Sequence, residues 1–239
     1  MAFGHGSKAR LYVHTLDMSP YIESGGVNYD VDMAESKPWG ATYVERYPGH
    51  VSAAVPLTGG GYDPEADKNA VTVWDQMQET TQGRPYAFLP QGDAVGRIAH
   101  CGVIKPDSPQ VVAAGDDIVR LPVGYLHTAQ HDLCRVLRAL AAGGTSPSGN
   151  VNNAQATAAG GAAYLLCTAI SGVGATLTVT VEDSADGITF ATLVAMTALT
   201  AVGSEVKAVA SAVRQYLRVS WTITGTNPVA TWFLAFGRR

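Results

Sequence analysis

The chain has 239 residues, of which 46% are hydrophobic and only 15% are charged, and its net charge is −4. Charged residues usually make up about 25% of a soluble protein, so we expect much of this surface to be covered by contacts with other subunits. The slightly negative net charge excludes the strongly basic surface of a protein that binds nucleic acid tightly. The sequence also has no run of roughly 18 apolar residues and no secretory signal at its start.

The first part of the chain predicts mostly strands with one helix. Strand candidates by residue type and turn spacing are 10–16, 26–33, 42–47, 50–57, 86–89, 96–104, 110–114 and 118–125. Asp63 and Pro64 are a good helix start, and apolar residues recur at helical spacing from Ala66 to Met77, so a helix is predicted that ends near residues 80–83. Residues 133–141 fit either a helix or a last strand.

A change of composition near the middle predicts a domain boundary. Residues 142–153 are rich in Gly, Ser, Asn and Pro, which is typical of a linker. Residues 1–150 carry 16 acidic and 11 basic side chains, a net −5, whereas residues 151–239 carry 4 and 5, a net +1. We therefore predict a first domain over 1–145, a linker over 146–153 and a second domain over 154–239.

The second part shows clear strand alternation. Residues 176–181, 216–223 and 230–236 alternate apolar and polar side chains, with Trp221 and Trp232 on the inward faces. Turn signals at 172–174, 183–187 and 225–228 separate them, so an antiparallel sandwich of six or seven strands is expected. Residues 205–214 fit either a helix or a strand.

No residue cluster predicts catalysis, a metal or a cofactor. His127 and His131 are four apart, but no Glu follows His127 and the segment before them reads as a strand. The acidic loop 182–187 lacks calcium-loop spacing and fits a simple turn. Cys101, Cys134 and Cys167 are odd in number and widely spaced, which argues against disulfides and zinc and favours synthesis in a reducing compartment.

The order of elements in residues 1–145 resembles the tail tube proteins of long-tailed bacteriophages. The resemblance rests on a first strand at 9–16, a strand at 22–31, a long loop over 33–47, the strand ending at Asp63 before the helix, and the strands 85–89 and 96–104 about a Gly92 turn. Residues 176–193 and 216–239 are similar to the immunoglobulin-like modules appended to phage virion proteins.

The resemblance implies an all-β fold, with a tail-tube-type sandwich or barrel and one flanking helix followed by an immunoglobulin-like sandwich. It also implies a structural protein without enzymatic activity, located in the virion after synthesis in the bacterial host cytoplasm. Six-subunit rings would stack into a tube that conducts double-stranded DNA during ejection, joined to other tail proteins, with the second domain outside. The subunit contacts are predicted in the long loop: Lys37, Trp39, Tyr43, Glu45, Arg46 and Tyr47.

Two other readings stay open. The chain could be a capsid decoration protein or another structural virion protein. It could also be a carbohydrate-binding sandwich, in which the second domain contacts host-surface glycans, although the inward positions of Trp221 and Trp232 count against this.

Overall fold

The structure is a computed structural model that describes residues 8–21, 24–25, 28–36, 45–58, 83–107, 124–127, 131–143, 146, 150–152 and 155–239. Most of these residues lie in β-strands, and α-helix does not occur within these ranges. The prediction of an all-β fold is therefore confirmed. The helix predicted from Asp63 onward lies outside the described residues.

The described residues of the first part of the chain form nine strands. They are β1 (Arg10–Val13), β2 (Leu16–Asp17), β3 (Ser24–Gly25), β4 (Asn28–Ser36), β5 (Glu45–Thr58), β6 (Arg84–Leu89), β7 (Ile98–Asp107), β8 (Gly124–His127) and β9 (Asp132–Ala142). A 3-10 turn lies at Ser19–Tyr21. The segment 133–141, which fitted a helix or a strand, is therefore a strand.

The second part adds five strands. They are β10 (Val151–Asn152), β11 (Gly161–Ser184), β12 (Ala191–Ala195), β13 (Gly203–Val209) and β14 (Tyr216–Arg238). The ambiguous segment 205–214 begins in strand β13. The spacing of the valines at 206, 209 and 213 does not distinguish a helix from a strand, because it fits one face of a helix and also a strand that ends within the segment.

Strands from both parts pair into one sheet. The strand order is β12-β11-β14-β9-β7-β6-β1-β2, with antiparallel pairing throughout. The junction is the pairing of β9 with β14, which runs from Cys134 opposite Gly237 to Ala142 opposite Thr231. The predicted domain boundary remains a prediction, but hydrogen-bonded sheet crosses it.

Strands β11 and β14 form a long ribbon that folds back on itself. The Trp221 and Trp232 rings lie 5.3 Å apart, edge to face. An extended strand would separate residues 11 positions apart by about 35 Å, so β14 must turn back between them. The ribbon loses its regular register over the same stretch, between Cys167 and Thr176. Each strand therefore contributes one limb to each layer of a sandwich.

The described residues form two apolar cores. One lies between the two limbs and includes Leu165, Leu177, Val219 and Trp232. The other lies on the opposite face of the first limb, where Tyr164, Phe233 and their neighbours pack on residues of β1, β6, β7 and β9. Tyr12 of β1 meets Phe233 at 5.2 Å between ring centroids. The second core is thus built by both parts of the chain.

Several described residues between β9 and β11 lie along an edge of β14. The backbone N–H of Trp221 donates to Ser146 Oγ at 2.8 Å, and β10 pairs with β14 at residues 216–217. Asn150 Nδ2 donates to the Gly187 carbonyl at 3.0 Å. Residues that the composition identified as a linker therefore cover backbone groups that would otherwise form an open edge.

Candidate assembly surface

Strands β4 and β5 form a hairpin whose connection holds the predicted contact loop. The register runs from Asn28 opposite Ala54 to Ser36 opposite Glu45. Lys37, Trp39 and Tyr43 lie outside the described residues. The remaining predicted contact residues, Glu45, Arg46 and Tyr47, are the first residues of β5 and pair with Ser36, Glu35 and Ala34. The loop is therefore shorter than the 33–47 expected, because both of its flanks are paired strand.

Among the described strands, the hairpin extends past the point where its neighbours end. Strand β8 pairs with β5 only at residues 54–56 and joins it to β7. Residues 45–53 of β5 therefore have β4 as their one strand neighbour in the described part of the chain. At about 3.3 Å per residue this two-stranded arm is about 30 Å long. Pro48 lies opposite Met33, where the β4 register shifts, which suits a residue that cannot donate to a ladder.

The outer edge of strand β4 has no partner among the described strands. Within the ranges that the structure describes, β4 pairs with β5 alone. An edge of this kind presents a row of backbone N–H and C=O groups that can pair with another strand. Addition of a strand to such an edge is a common way for β-proteins to associate.

The histidines singled out by their spacing do not share a helix face. His127 ends β8, opposite Ile104, and His131 precedes β9. The His131 ring stacks on His100 with centroids 5.4 Å apart. Burial lowers the pKa of His100. In the described ranges, no group of three or more His, Cys, Asp or Glu residues could hold a metal ion.

The acidic loop after β11 is a turn held by its own side chains. Asp186 Oδ1 accepts the N–H groups of Ile188 and Thr189, each at 2.8 Å, and Ser184 Oγ accepts that of Gly187 at 2.9 Å. A hydrogen bond from Ser184 and these N–H groups lower the pKa of Asp186 to about 2. Asp183 instead accepts the Arg214 N–H. These two carboxylates therefore have separate structural partners.

The three cysteines are free and buried. Burial, with Cys101 nearby, raises the pKa of the Cys134 thiol, and burial raises that of Cys167. Thiols held protonated in an apolar core are poor nucleophiles. Their positions fit packing rather than chemistry.

A buried carboxylate joins β9 to the end of β14. Asp132 is 3% exposed. Its Oδ2 accepts the Tyr164 hydroxyl at 2.6 Å and Arg239 Nη2 at 3.0 Å, and its Oδ1 accepts Arg239 Nε at 3.1 Å. Burial is the main cause that raises the pKa of Tyr164, which keeps the hydroxyl a donor. This cluster could not be predicted from a local pattern, because 107 positions separate Asp132 from Arg239.

A second cluster that the sequence did not reveal places a cation between two indoles. The Arg138 guanidinium lies 4.4 Å from the ring centres of both Trp221 and Trp232. Its Nη2 donates to the carbonyls of Ala141 and Gly143. Burial lowers the pKa of Arg138. Both tryptophans are largely buried, at 7% and 0% exposure, so neither presents a ring to a sugar.

No protein-family model matches the chain, and no curated protein matches it. Among solved structures, it is similar to a chain in the virion of a native gene transfer agent particle, with a TM-score of 0.43 and 9% identity. The match covers 55% of this chain and 98% of the other. Similarity at this level does not establish a shared function. In the described residues, no helix is long and apolar enough to cross a membrane.

Proposed function

We propose that the chain is a structural virion protein that assembles through its projecting hairpin, and more specifically a ring subunit of a phage tail tube. The observation that carries the proposal is that, in the described ranges, the outer edge of β4 on this two-stranded arm has no partner strand. A long arm with unpaired backbone groups suits a strand-to-strand contact between copies, which also removes the exposed edge. The protein performs no turnover in this role.

Ring stacking is assigned to residues 37–47 at the end of the arm. A contact between one end of a subunit and a different surface of the next is heterologous, and it grows into a tube rather than a closed dimer. The first part of the chain has a net charge of −5. A weakly acidic lumen lets DNA pass without binding it, since like charges repel. The predicted second domain, residues 154–239, then decorates the outside.

The register of the hairpin gives a sharp test. Ser36 and Glu45 are the last paired residues, so a two-residue Asn-Gly turn can replace residues 37–44 and close the hairpin. Negative-stain electron microscopy at increasing protein concentration should show rings or hollow tubes for the wild type. The shortened variant should form rings that do not stack.

A second variant tests whether stacking depends on the side chains of the loop or only on its length. Replacing residues 37–44 by Gly and Ser at the same length keeps the reach of the loop and removes Lys37, Trp39 and Tyr43. It should stack as poorly as the shortened variant. Tubes as long as those of the wild type from both variants would remove residues 37–44 from the stacking contact. Strict monomers of the wild type at every concentration would instead favour a decoration protein that assembles on a preformed shell.

A further inference from the structure

Three polar residues from separate segments meet where the two parts of the chain touch. His14 directly follows β1, Arg84 is the first residue of β6, and Ser204 lies in β13. The Ser204 Oγ and His14 Nδ1 atoms are 2.5 Å apart, although 190 positions separate the two residues. We call these three residues the His14 cluster.

The backbone of His14 is in the left-handed region. Val13 pairs with Leu16, so His14 and Thr15 form the two-residue connection between β1 and β2. His14 has a φ of +53°. Few residues other than glycine adopt this conformation, and such positions are concentrated at binding and active sites. The backbone is therefore consistent with a role for the His14 side chain.

Strand pairing places Arg84 beside this turn. The His14 N–H donates to the Pro85 carbonyl at 2.8 Å, and Arg84 precedes Pro85 on β6. Burial, and then the charge of Arg84, lower the pKa of His14 to about 4, so the imidazole is uncharged at neutral pH. Strand β13 reaches the same place through the contact of Ser204 with His14.

The Arg84 guanidinium has donors without acceptors. Its Nε is buried and makes no hydrogen bond. Among the described residues, no carboxylate forms an ion pair with this guanidinium. Buried donors are normally hydrogen-bonded, and a guanidinium offers five N–H groups in a planar fork. Arg84 is thus a cation with unused donors.

Two carboxylates that are close to this cluster along the chain have other partners. Asp17, in β2, accepts the N–H of Ser19 at 2.9 Å. Glu205, in β13, accepts both the N–H and the hydroxyl of Thr197, each at 2.8 Å. The His14 cluster therefore carries one positive charge at neutral pH, and no carboxylate of the described residues is paired with it.

An ion from solution can reach the cluster. His14, Arg84 and Ser204 are each partly exposed. Partial burial lowers the local dielectric constant and strengthens the attraction between a guanidinium and an anion. The cluster therefore suits an anion better than a fully exposed arginine does.

We propose that the His14 cluster binds a small oxyanion of the phosphate and sulfate class. The Arg84 fork matches two oxygen atoms of such an ion, and the Ser204 hydroxyl and the His14 imidazole supply further donors. Because the three residues come from both parts of the chain, the bound ion connects these parts and stabilises the folded state. The site is independent of assembly through the hairpin.

Isothermal titration calorimetry of the full chain with inorganic phosphate tests the site, at a constant ionic strength set with sodium chloride. The wild type should give a saturable heat with a dissociation constant of about 0.1–3 mM, the range of weak binding. Arg84→Gln should raise the dissociation constant at least about tenfold, because it removes both the charge and the fork. Ser204→Ala should raise it less, because it removes one neutral donor.

Arg97→Gln is the matched control. Arg97 is exposed, and its Nη1 donates to Gln91 Oε1 at 3.3 Å. This variant changes the net charge as Arg84→Gln does and should bind phosphate like the wild type. Arg84→Lys keeps the charge but not the fork, so it should also weaken binding, and it covers the case in which Arg84→Gln does not fold. Circular dichroism like that of the wild type confirms that a variant is folded.

A second titration identifies the source of the phosphate group. Glycerol phosphate carries the same group on an organic molecule. Tighter binding of inorganic phosphate assigns the site to the free ion, and tighter binding of glycerol phosphate assigns it to phosphate esters.

Three results overturn the proposal. The first is a wild type without saturable heat up to about 20 mM phosphate, well above the expected dissociation constant. The second is equal binding by folded Arg84 variants and Arg97→Gln. The third is the same heat when sodium chloride replaces phosphate at equal ionic strength, which would indicate general screening of charge. None of these results depends on tube formation, which electron microscopy follows separately.

Discussion

Removal of the Arg239 side chain tests whether the two parts of the chain are held as one unit. In Arg239→Ala, the buried Asp132 carboxylate keeps the Tyr164 hydroxyl but loses both guanidinium hydrogen bonds. Removing one partner of a buried ion pair costs about 3–5 kcal/mol. The Arg239 side chain is 29% exposed, so water reaches part of the vacated position. Allowing for this solvation, we expect the free energy of unfolding to fall by about 2–3 kcal/mol.

Urea unfolding followed by tryptophan fluorescence measures this loss, and Arg214→Ala is the control. The Arg214 side chain is 53% exposed and lies 3.9 Å from Asp183, so this surface pair should contribute no more than about 1 kcal/mol. A double-mutant cycle of Arg239→Ala with Asp132→Asn should give a coupling energy above about 1 kcal/mol. Equal losses for Arg239→Ala and Arg214→Ala, or an additive cycle, would refute the reasoning.

Three further outcomes are expected. Gly172→Ala should lower stability by about 2–4 kcal/mol because the added methyl meets backbone, whereas Gly174→Ala, with φ +65° and open space around it, should cost about 1 kcal/mol in thermal melts. Burial, and then Arg84, lower the pKa of His14 from 6.5 to about 4, so the folded state holds it neutral. The free energy of unfolding should be highest above pH 6.5 and fall by about 1–2 kcal/mol as the pH drops to 4, because the unfolded chain takes up a proton that the folded chain does not. In a His14→Gln variant, the free energy of unfolding should fall by about 1–2 kcal/mol less over the same pH range. A fragment of residues 1–145 should give the circular dichroism of an unfolded chain, since it lacks the β11 and β14 residues of the second core; a cooperative melt of the fragment would contradict this.

Local patterns were sufficient to predict the strands of the sandwich. The alternation through residues 176–181 and 216–223 marks an inward face of Leu, Val and Trp, and the structure buries those residues. The Gly, Asn and Pro residues at 172–174 and 225–228 predict turns. That the strands on either side of them remain paired as one bent ribbon could not be predicted, because the pairing joins residues about 50 positions apart.

Long-range polar contacts gave no local signal. Asp132 looks like an ordinary acidic residue beside His131, and its burial depends on Arg239 and Tyr164 from the second part. The sequence around Arg138 likewise fits either an amphipathic helix or a strand. Only the structure shows that its guanidinium lies between the rings of Trp221 and Trp232. The contact residues Lys37, Trp39 and Tyr43 lie outside the described residues and remain predictions.

The pairing of β9 with β14 has a consequence for the order in which the protein is made. Residues 132–142 leave the ribosome long before residues 231–238, which complete their edge. A separation of about 100 residues takes about 5–20 s at about 5–20 residues per second. During this interval the core shared by both parts is incomplete, so the first part cannot reach its final form. The outer edge of β9 therefore stays without this partner strand until residues 231–238 have been made.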